Sequence, residues 1–238
     1  MTERRRGRIA RRWLGAGIGL AAAGYAVLVT TAWLRYGRAT HETGEDGDPL
    51  LDSVMPEYEI VERHHVRVAA PVDATFAAAN AIDFQRSAIA RAIFKAREFF
   101  MRATSSGAGP SGPAGSFLSQ MQAIGWGELA RTPGREVVMG AVTQPWQADV
   151  VFHPLPPAEF AAFREPGYVK IAWTLRADPV SATASIFRTE TRAVATDPGA
   201  RAKFRRYWSF VSPGIILIRW LMLSPLKNDA ERQALKGG

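Results

Sequence analysis

Val68-Ala69-Ala70-Pro71-Val72-Asp73-Ala74-Thr75-Phe76 is the stretch where the chain changes period. Before it, Glu57 to Ala69 alternates, with Tyr58, Ile60, Glu62, His64, Val66 and Val68 on one face and Glu59, Val61, Arg63, His65 and Arg67 on the other. A two-residue period is that of a long, half-buried strand. After it, Phe76, Ala79 and Ile82 fall on one side of a helix that Asp73 is placed to cap.

Working outward, a second helix is predicted from about Gln85 to Met101, where Ile89, Ile93, Ala96 and Phe100 form an apolar stripe opposite Arg91, Lys95, Glu98 and Arg102. Ala103 to Gly115, rich in Gly, Pro and Ser, predicts a mobile loop. A short helix carrying Phe117, Met121 and Ile124 leads to a hairpin of Trp126–Leu129 and Glu136–Thr143 around Pro133-Gly134. Beyond a Pro-rich passage, strands are expected at Tyr168–Ala177 and Ser181–Ala195, joined around Asp178-Pro179. Asp197-Pro198 then opens a long helix carrying Phe204, Tyr207, Trp208 and Val211. The layout is α+β: strand, two helices, an antiparallel run of strands, and a C-terminal helix.

Toward the N-terminus, Trp13 to Leu34 gives 22 residues without a formal charge, about 33 Å as a helix and enough to cross a bilayer core. Arg4, Arg5, Arg6, Arg8, Arg11 and Arg12 precede it; Arg35 and Arg38 follow, then Glu42, Glu45, Asp46, Asp48 and Asp52. This asymmetry predicts a single-pass protein of the cytoplasmic membrane, N-terminus inside and domain outside. The run exceeds the roughly 7–15 apolar residues of a signal peptide, and Trp13, Trp33 and Tyr36 fit an anchor's aromatic belts. An uncleaved anchor is preferred over a cleaved signal, and the Arg11-Arg12 pair carries a lesser twin-arginine reading. Gly15, Gly17, Gly19 and Gly24 imitate a dinucleotide fingerprint without the strand and soluble helix it needs. Gly15 and Gly19 do have the spacing for weak self-association of membrane helices. The expected organisation is a basic flank at 1–12, a span at 13–34, a polar acidic linker at 35–56, one domain at 57–231 and a tail at 232–238.

The formal charge of +8 is concentrated at the anchor: eight Arg against Glu3 lie up to Arg38, leaving 22 basic and 21 acidic residues beyond. A nearly neutral domain lacks the basic footprint of a nucleic-acid binder. The absence of Cys excludes thiolate catalysis and zinc–thiolate sites, and no motif calls for a metal or a cofactor.

The strand-to-helix passage at Val68–Phe76, together with Gly125-Trp126, Pro133-Gly134-Arg135-Glu136-Val137-Val138, Pro145-Trp146, Thr189-Glu190-Thr191-Arg192 and Phe204-Arg205-Arg206-Tyr207-Trp208, resembles the SRPBCC superfamily, also called START-like or Bet v 1-like. The likeness covers roughly Glu57 to Glu231 and points to a bacterial, membrane-anchored branch. It implies a helix-grip fold, a curved antiparallel sheet around the C-terminal helix, with a cavity for a hydrophobic small molecule or lipid. It also leaves room for a polyketide cyclase or hydrolase-like enzyme on an apolar substrate, or for a non-catalytic membrane interaction protein, because a fold does not settle function. The chain departs from the pattern in its membrane segment and at Pro213-Gly214, which is expected to kink or split the last helix. The apolar stretch Ile215 to Leu223 reads as a buried grip helix, with interfacial membrane contact the lesser reading.

No strong catalytic signature is present. His64 and His65 point to opposite faces of one strand and cannot share a metal. Asp149, Val151 and His153 would share a face if that segment is extended, but no nucleophile accompanies them. Arg188, Glu190 and Arg192 alternate with Phe187, Thr189 and Thr191. Facing outward, the charged set is a solvated ladder; facing inward, with Arg206, it would place a polar patch in the cavity, leaving Thr189 and Thr191 in solvent. Trp126, Trp146, Trp173, Tyr207 and Trp208 are candidate cavity walls.

Overall fold

The computed structural model describes residues 19–20, 22–40, 44, 47–82 and 115–237. The expected helix at Gln85–Met101 and nearly all of the expected loop at Ala103–Gly115 lie outside them. In chain order the described elements are α1 (22–35), α2 (Pro49–Val54), β1 (Ile60–Val68), α3 (Val72–Asn80), α4 (Phe117–Ala123), β2 (Gly127–Thr132), β3 (Glu136–Thr143), β4 (Phe152–His153), α5 (Pro157–Ala162), β5 (Val169–Ser181), β6 (Ala184–Ala195) and α6 (Pro198–Gly237). The strands form one antiparallel sheet in the order β1-β6-β5-β3-β2, with β4 on β3. A curved sheet holding a long C-terminal helix is a helix-grip fold.

Each face of the sheet has its own cover. The inner face carries Val68, Val137, Met139, Trp173, Leu175, Ala177 and Phe187 against Phe76 and Ala79 of α3, Phe117 of α4, and Leu226 and Ala230 of α6. On the outer face, Leu129, Val138, Val142 and Ala172 lie beneath Leu51, Val54 and Met55, with Phe160 of α5 beside them. The second cover was not expected, because the acidic tract before Asp52 has no apolar period. A short helix forms there because Asp48 accepts the Leu51 N–H at 2.8 Å and Pro49 stands in the first turn. Leu51 is then fully buried, so part of the predicted linker is a lid on the sheet.

Other boundaries move for local reasons. Pro71, not Asp73, is the N-cap of α3, and Asp73 sits in the first turn, where its charge suits the helix dipole. The β5–β6 turn lies beyond Asp178-Pro179: both residues remain in β5, and Ser181 pairs with Ala184 past a register irregularity. The Pro-rich passage contributes β4 and α5. Asp197 does open α6, accepting from the Gly199 and Ala200 N–H groups at 2.7 and 3.1 Å. The helix runs unbroken through Pro213 and Pro225. Each proline removes one donor, and buried Trp208 and Ser212 before Pro213, with Leu226 after Pro225, keep it seated on the fold.

Among the described residues, one helix, Pro198–Lys236, is long and apolar enough to cross a membrane by length and composition. This is the C-terminal helix, not the N-terminal run at Trp13–Leu34, which lies partly outside the described residues; its described portion is α1. Gly15 also lies outside, and Gly19 has no atom within 4 Å of where a Cβ would stand.

Gly125 joins α4 to β2 with φ +104°, and a Cβ there would run into the Phe152 carbonyl. Gly134, in the hairpin, has φ +68° but open space around it. Gly125→Ala is therefore expected to cost about 3 kcal/mol, from backbone conformation and clash together, and Gly134→Ala about 1 kcal/mol. Denaturant midpoints of the two variants check the difference.

Candidate functional site

The face of α6 that meets the sheet carries Phe204, Trp208, Ser212, Ile215, Arg219, Leu223, Leu226 and Ala230, three or four residues apart. Its only charge is Arg219. Opposite lie the inward residues of β1 and β6, in register as Ile60 with Ala193, Glu62 with Thr191, His64 with Thr189, and Val66 with Phe187. Trp173 of β5 pairs with Thr191 on the same face. A polar group thus sits inside an apolar interface. Four of its buried atoms have no hydrogen-bond partner: His64 Nε2, Thr191 Oγ1, Ser212 Oγ and Arg219 Nη1. Thr191 and Ser212 are 7% and 1% exposed.

The charges here are tuned by one another. Burial pushes the Glu62 carboxyl upward, and Arg219 and Arg35 oppose that rise. Burial, then Arg219, then His65 lower His64 to about 4, so the imidazole is neutral at physiological pH. It can then offer either a donor or an acceptor to a guest, depending on tautomer.

The charged residues of β6 take the other face. Arg188, Glu190 and Arg192 point away from α6, yet they are not a solvated ladder. Arg192 is 2% exposed; its Nε donates to Glu190 Oε1 at 2.6 Å, and its Nη1 to Asp52 Oδ1 at 2.6 Å and the Met55 carbonyl at 2.9 Å. Its guanidinium lies 4.4 Å from the Tyr58 ring centre. Arg63, opposite Glu190 in register, donates to Glu190 at 2.8 and 3.3 Å. Asp178 receives Arg135, Arg176 and Arg188 at 3.0, 2.8 and 3.1 Å. A polar hollow of about 280 Å³ on this side is lined by Asp48, Arg63, His65, Arg176, Arg188 and Glu190, among others. Nearby, Glu136 is buried; desolvation, then the adjacent Asp48 carboxyl, raise it to about 8 against the pull of Arg176.

The predicted site residues are therefore divided. Arg188, Glu190 and Arg192 form the outer network, and Arg206 is exposed at the start of α6. Trp173 and Trp208 are buried along the gripped face. Trp126 stacks on Phe152 at 4.7 Å and meets Trp173 edge-on at 5.8 Å. Tyr207 stacks on Phe204 at 6.3 Å, and Trp146 lies at the margin beneath Lys203, 5.8 Å from its ring centre. Thr189 and Thr191 face the grip rather than solvent. Asp149 lies in a bend outside β4, so it does not share an extended face with His153. The inner group of Glu62, Thr191, Ser212 and Arg219 was not anticipated as a site. The signal for Arg219 was the spacing of the α6 stripe, which puts it one turn beyond Ile215 on the gripping side.

Similar solved structures include norcoclaurine synthase from Thalictrum flavum, at 14% identity, covering 75% of this chain and 95% of that one with a TM-score of 0.29. The ZhuI aromatase/cyclase from Streptomyces sp. R1128 follows at 13% identity, 73% and 94% coverage and a TM-score of 0.25. The di-domain aromatase/cyclase BexL shares 15% identity over 72% of this chain and 46% of that chain, with a TM-score of 0.23. No family model and no curated protein matches the chain.

Arg192→Met is expected to lose about 3 kcal/mol of stability, because it leaves buried acceptors unpaired and frees α2. Arg131→Ala, which breaks an exposed pair with Glu128 at 2.6 Å, should cost less than about 0.5 kcal/mol. Chemical denaturation of both variants provides the comparison.

The pH profile should be one-sided on each flank. Glu136 keeps its proton to about 8 when folded, so its contribution is full below the unfolded carboxyl value and is lost as pH rises toward 8. Folded His64 resists protonation down to about 4, so its contribution is full above the unfolded imidazole value and is lost as pH falls toward 4. Thermal melts across pH 4 to 8 should show a maximum on the acid side of neutrality; Glu136→Gln should flatten the alkaline arm and His64→Gln the acid arm.

Proposed function

We propose that this chain is a membrane-anchored member of the SRPBCC superfamily that binds or transfers an amphipathic small molecule or lipid between its sheet and α6, outside the cytoplasmic membrane. The observation that carries this reading is the set of unpartnered buried polar atoms on the gripped face. A buried polar atom without a hydrogen bond costs free energy, and replacing it by an apolar isostere would be the simpler way to fill the interface. Retaining four of them, on residues from β1, β6 and α6, supports a guest that supplies the missing partners. The aromatic and aliphatic surroundings, including Trp173, Phe187, Trp208 and Ile215, suit an apolar body; Arg219, Ser212 and Thr191 suit a head rich in acceptors. Trp13–Leu34 would hold the domain where such amphiphiles are concentrated, with the N-terminus in the cytoplasm.

An enzyme on an apolar substrate is the second reading. One observation favours it: Glu62, whose carboxyl burial pushes upward, and His64, held neutral at physiological pH, share one strand face, so a potential acid and a neutral imidazole stand together. Variants of either residue that bind the guest normally but fail to convert it would favour this reading.

Purified full-length protein, extracted with organic solvent and examined by mass spectrometry, should release an amphiphile in near-stoichiometric amount. Thr191→Val is expected to raise the stability of the ligand-free protein by about 1 kcal/mol while weakening retention of the amphiphile by about tenfold. An empty interior in the parent protein, or unchanged retention in the variant, would sink the proposal.

A further inference from the structure

The outward side of α6 carries a second property. Phe210, Leu217, Trp220 and Leu221 are 55%, 53%, 67% and 37% exposed. They belong to the stretch from Tyr207 to Leu226, twenty residues with one formal charge, about 30 Å long as a helix. That charge, Arg219, is turned toward Glu62 and His64 on the sheet. The outward face is left uncharged along the whole stretch. Only 17% of the most apolar window of this helix is buried within the molecule, whereas a helix that serves purely as a protein core is covered on most sides.

What covers this face is indicated by what lies beside it. α1 runs antiparallel to the start of α6: the Tyr25 hydroxyl donates to the Phe210 carbonyl, and Arg205 donates to the Trp33 carbonyl at 2.9 Å with its guanidinium 4.2 Å from the Trp33 ring centre. α1 itself exposes Val27, Leu28 and Leu34, so the outward apolar surfaces of the two helices are continuous. Arg201, Lys203, Arg205 and Arg206 gather at the N-terminal end of α6, before its uncharged stretch, where they match anionic head groups.

We infer that the outward face of α6 is seated in the hydrocarbon of a phospholipid bilayer alongside α1, so that the domain lies side-on against the membrane instead of hanging from a free tether. This rests on the anchoring part of the proposed function and not on the identity of the bound guest. The same helix then has the grip interface on one side and lipid on the other, and a guest leaving the bilayer has only the width of α6 to pass.

The lack of cysteine permits a direct test. Single substitutions Leu217→Cys, Trp220→Cys, Val27→Cys and Val180→Cys, each in the full chain, carry a nitroxide label in vesicles of phosphatidylethanolamine and phosphatidylglycerol. Collisions with oxygen, which concentrates in lipid, are compared with collisions with a water-soluble nickel chelate. The labels at positions 217 and 220 are expected to behave like that at 27, meeting nickel about tenfold less often than the label at 180. Nickel access at 217 and 220 with a lipid signal at 27 overturns this inference and leaves the anchor standing. Nickel access at 27 as well overturns both. Shielding of 217 and 220 from both reagents means that protein covers the face, and also overturns it. If Trp220→Cys does not fold, position 217 decides alone.

Discussion

Arg192 is the residue on which the arrangement of both faces depends. Its guanidinium joins Glu190 of its own strand to Asp52 and the Met55 carbonyl of the preceding segment, and Glu190 is held in turn by Arg63 across the β1–β6 pair. A strand's side chains alternate, so a slip of one residue would turn Arg192 and Glu190 toward α6 and expose Phe187 and Thr191 to the outer cover. Two buried charges facing the grip stripe would lose their partners, a cost well above the gain from any single apolar contact. The network therefore selects one register. It also stitches α2 to the sheet, which turns the residues after α1 into part of the domain.

With that register set, the two faces take different roles. On the outer face most charges are matched one to another, the buried guanidinium of Arg192 finding a carboxylate on each side, and Glu136 Oε1 is the one buried side-chain polar atom there without a partner among the described residues. On the inner face, polar side chains are present without such matching: Ser212 and Thr191 are buried with free hydroxyl oxygens, and Arg219 retains an unpartnered nitrogen beside Glu62 and His64. An interface built only for cohesion would carry apolar residues at these positions. Among the described residues, four of the five buried side-chain polar atoms without a partner lie on the gripped side of the sheet.

Much of the fold was legible in the alternation of Glu57–Ala69, the Pro133-Gly134 turn and the Asp197-Pro198 helix start, because each has a local physical cause. The orientation of β6 was not legible. Phe187, Thr189 and Thr191 are not decisively more apolar than their alternating neighbours once arginine can be buried in a network, and the partners that bury it lie about 140 residues away in sequence. α2 was hidden for a different reason: six residues span less than two turns, too few for a helical period, and an acidic tract surrounds them. Its readable sign was Asp48-Pro49 followed by Leu50-Leu51 and Val54-Met55. Arg219 is the one charge inside the apolar run Ile215–Leu223; counted from Phe204 and Trp208 in steps of three and four, it falls on the gripping stripe.

The inward placement of Arg219 governs the physics of the whole C-terminal helix. Treated as a residue facing outward, it would hold the segment away from lipid, since an unpaired guanidinium is costly in hydrocarbon. Turned toward Glu62, it leaves the opposite face with no charge between Arg206 and Lys227. The prolines act in the same direction: Pro213 and Pro225 each leave a backbone carbonyl without its usual donor, a defect that neighbouring helices and hydroxyl side chains can repair in an apolar setting. The helix thus combines a polar inner stripe with an uncharged outer one, an asymmetry that neither a soluble core helix nor a lone membrane span requires.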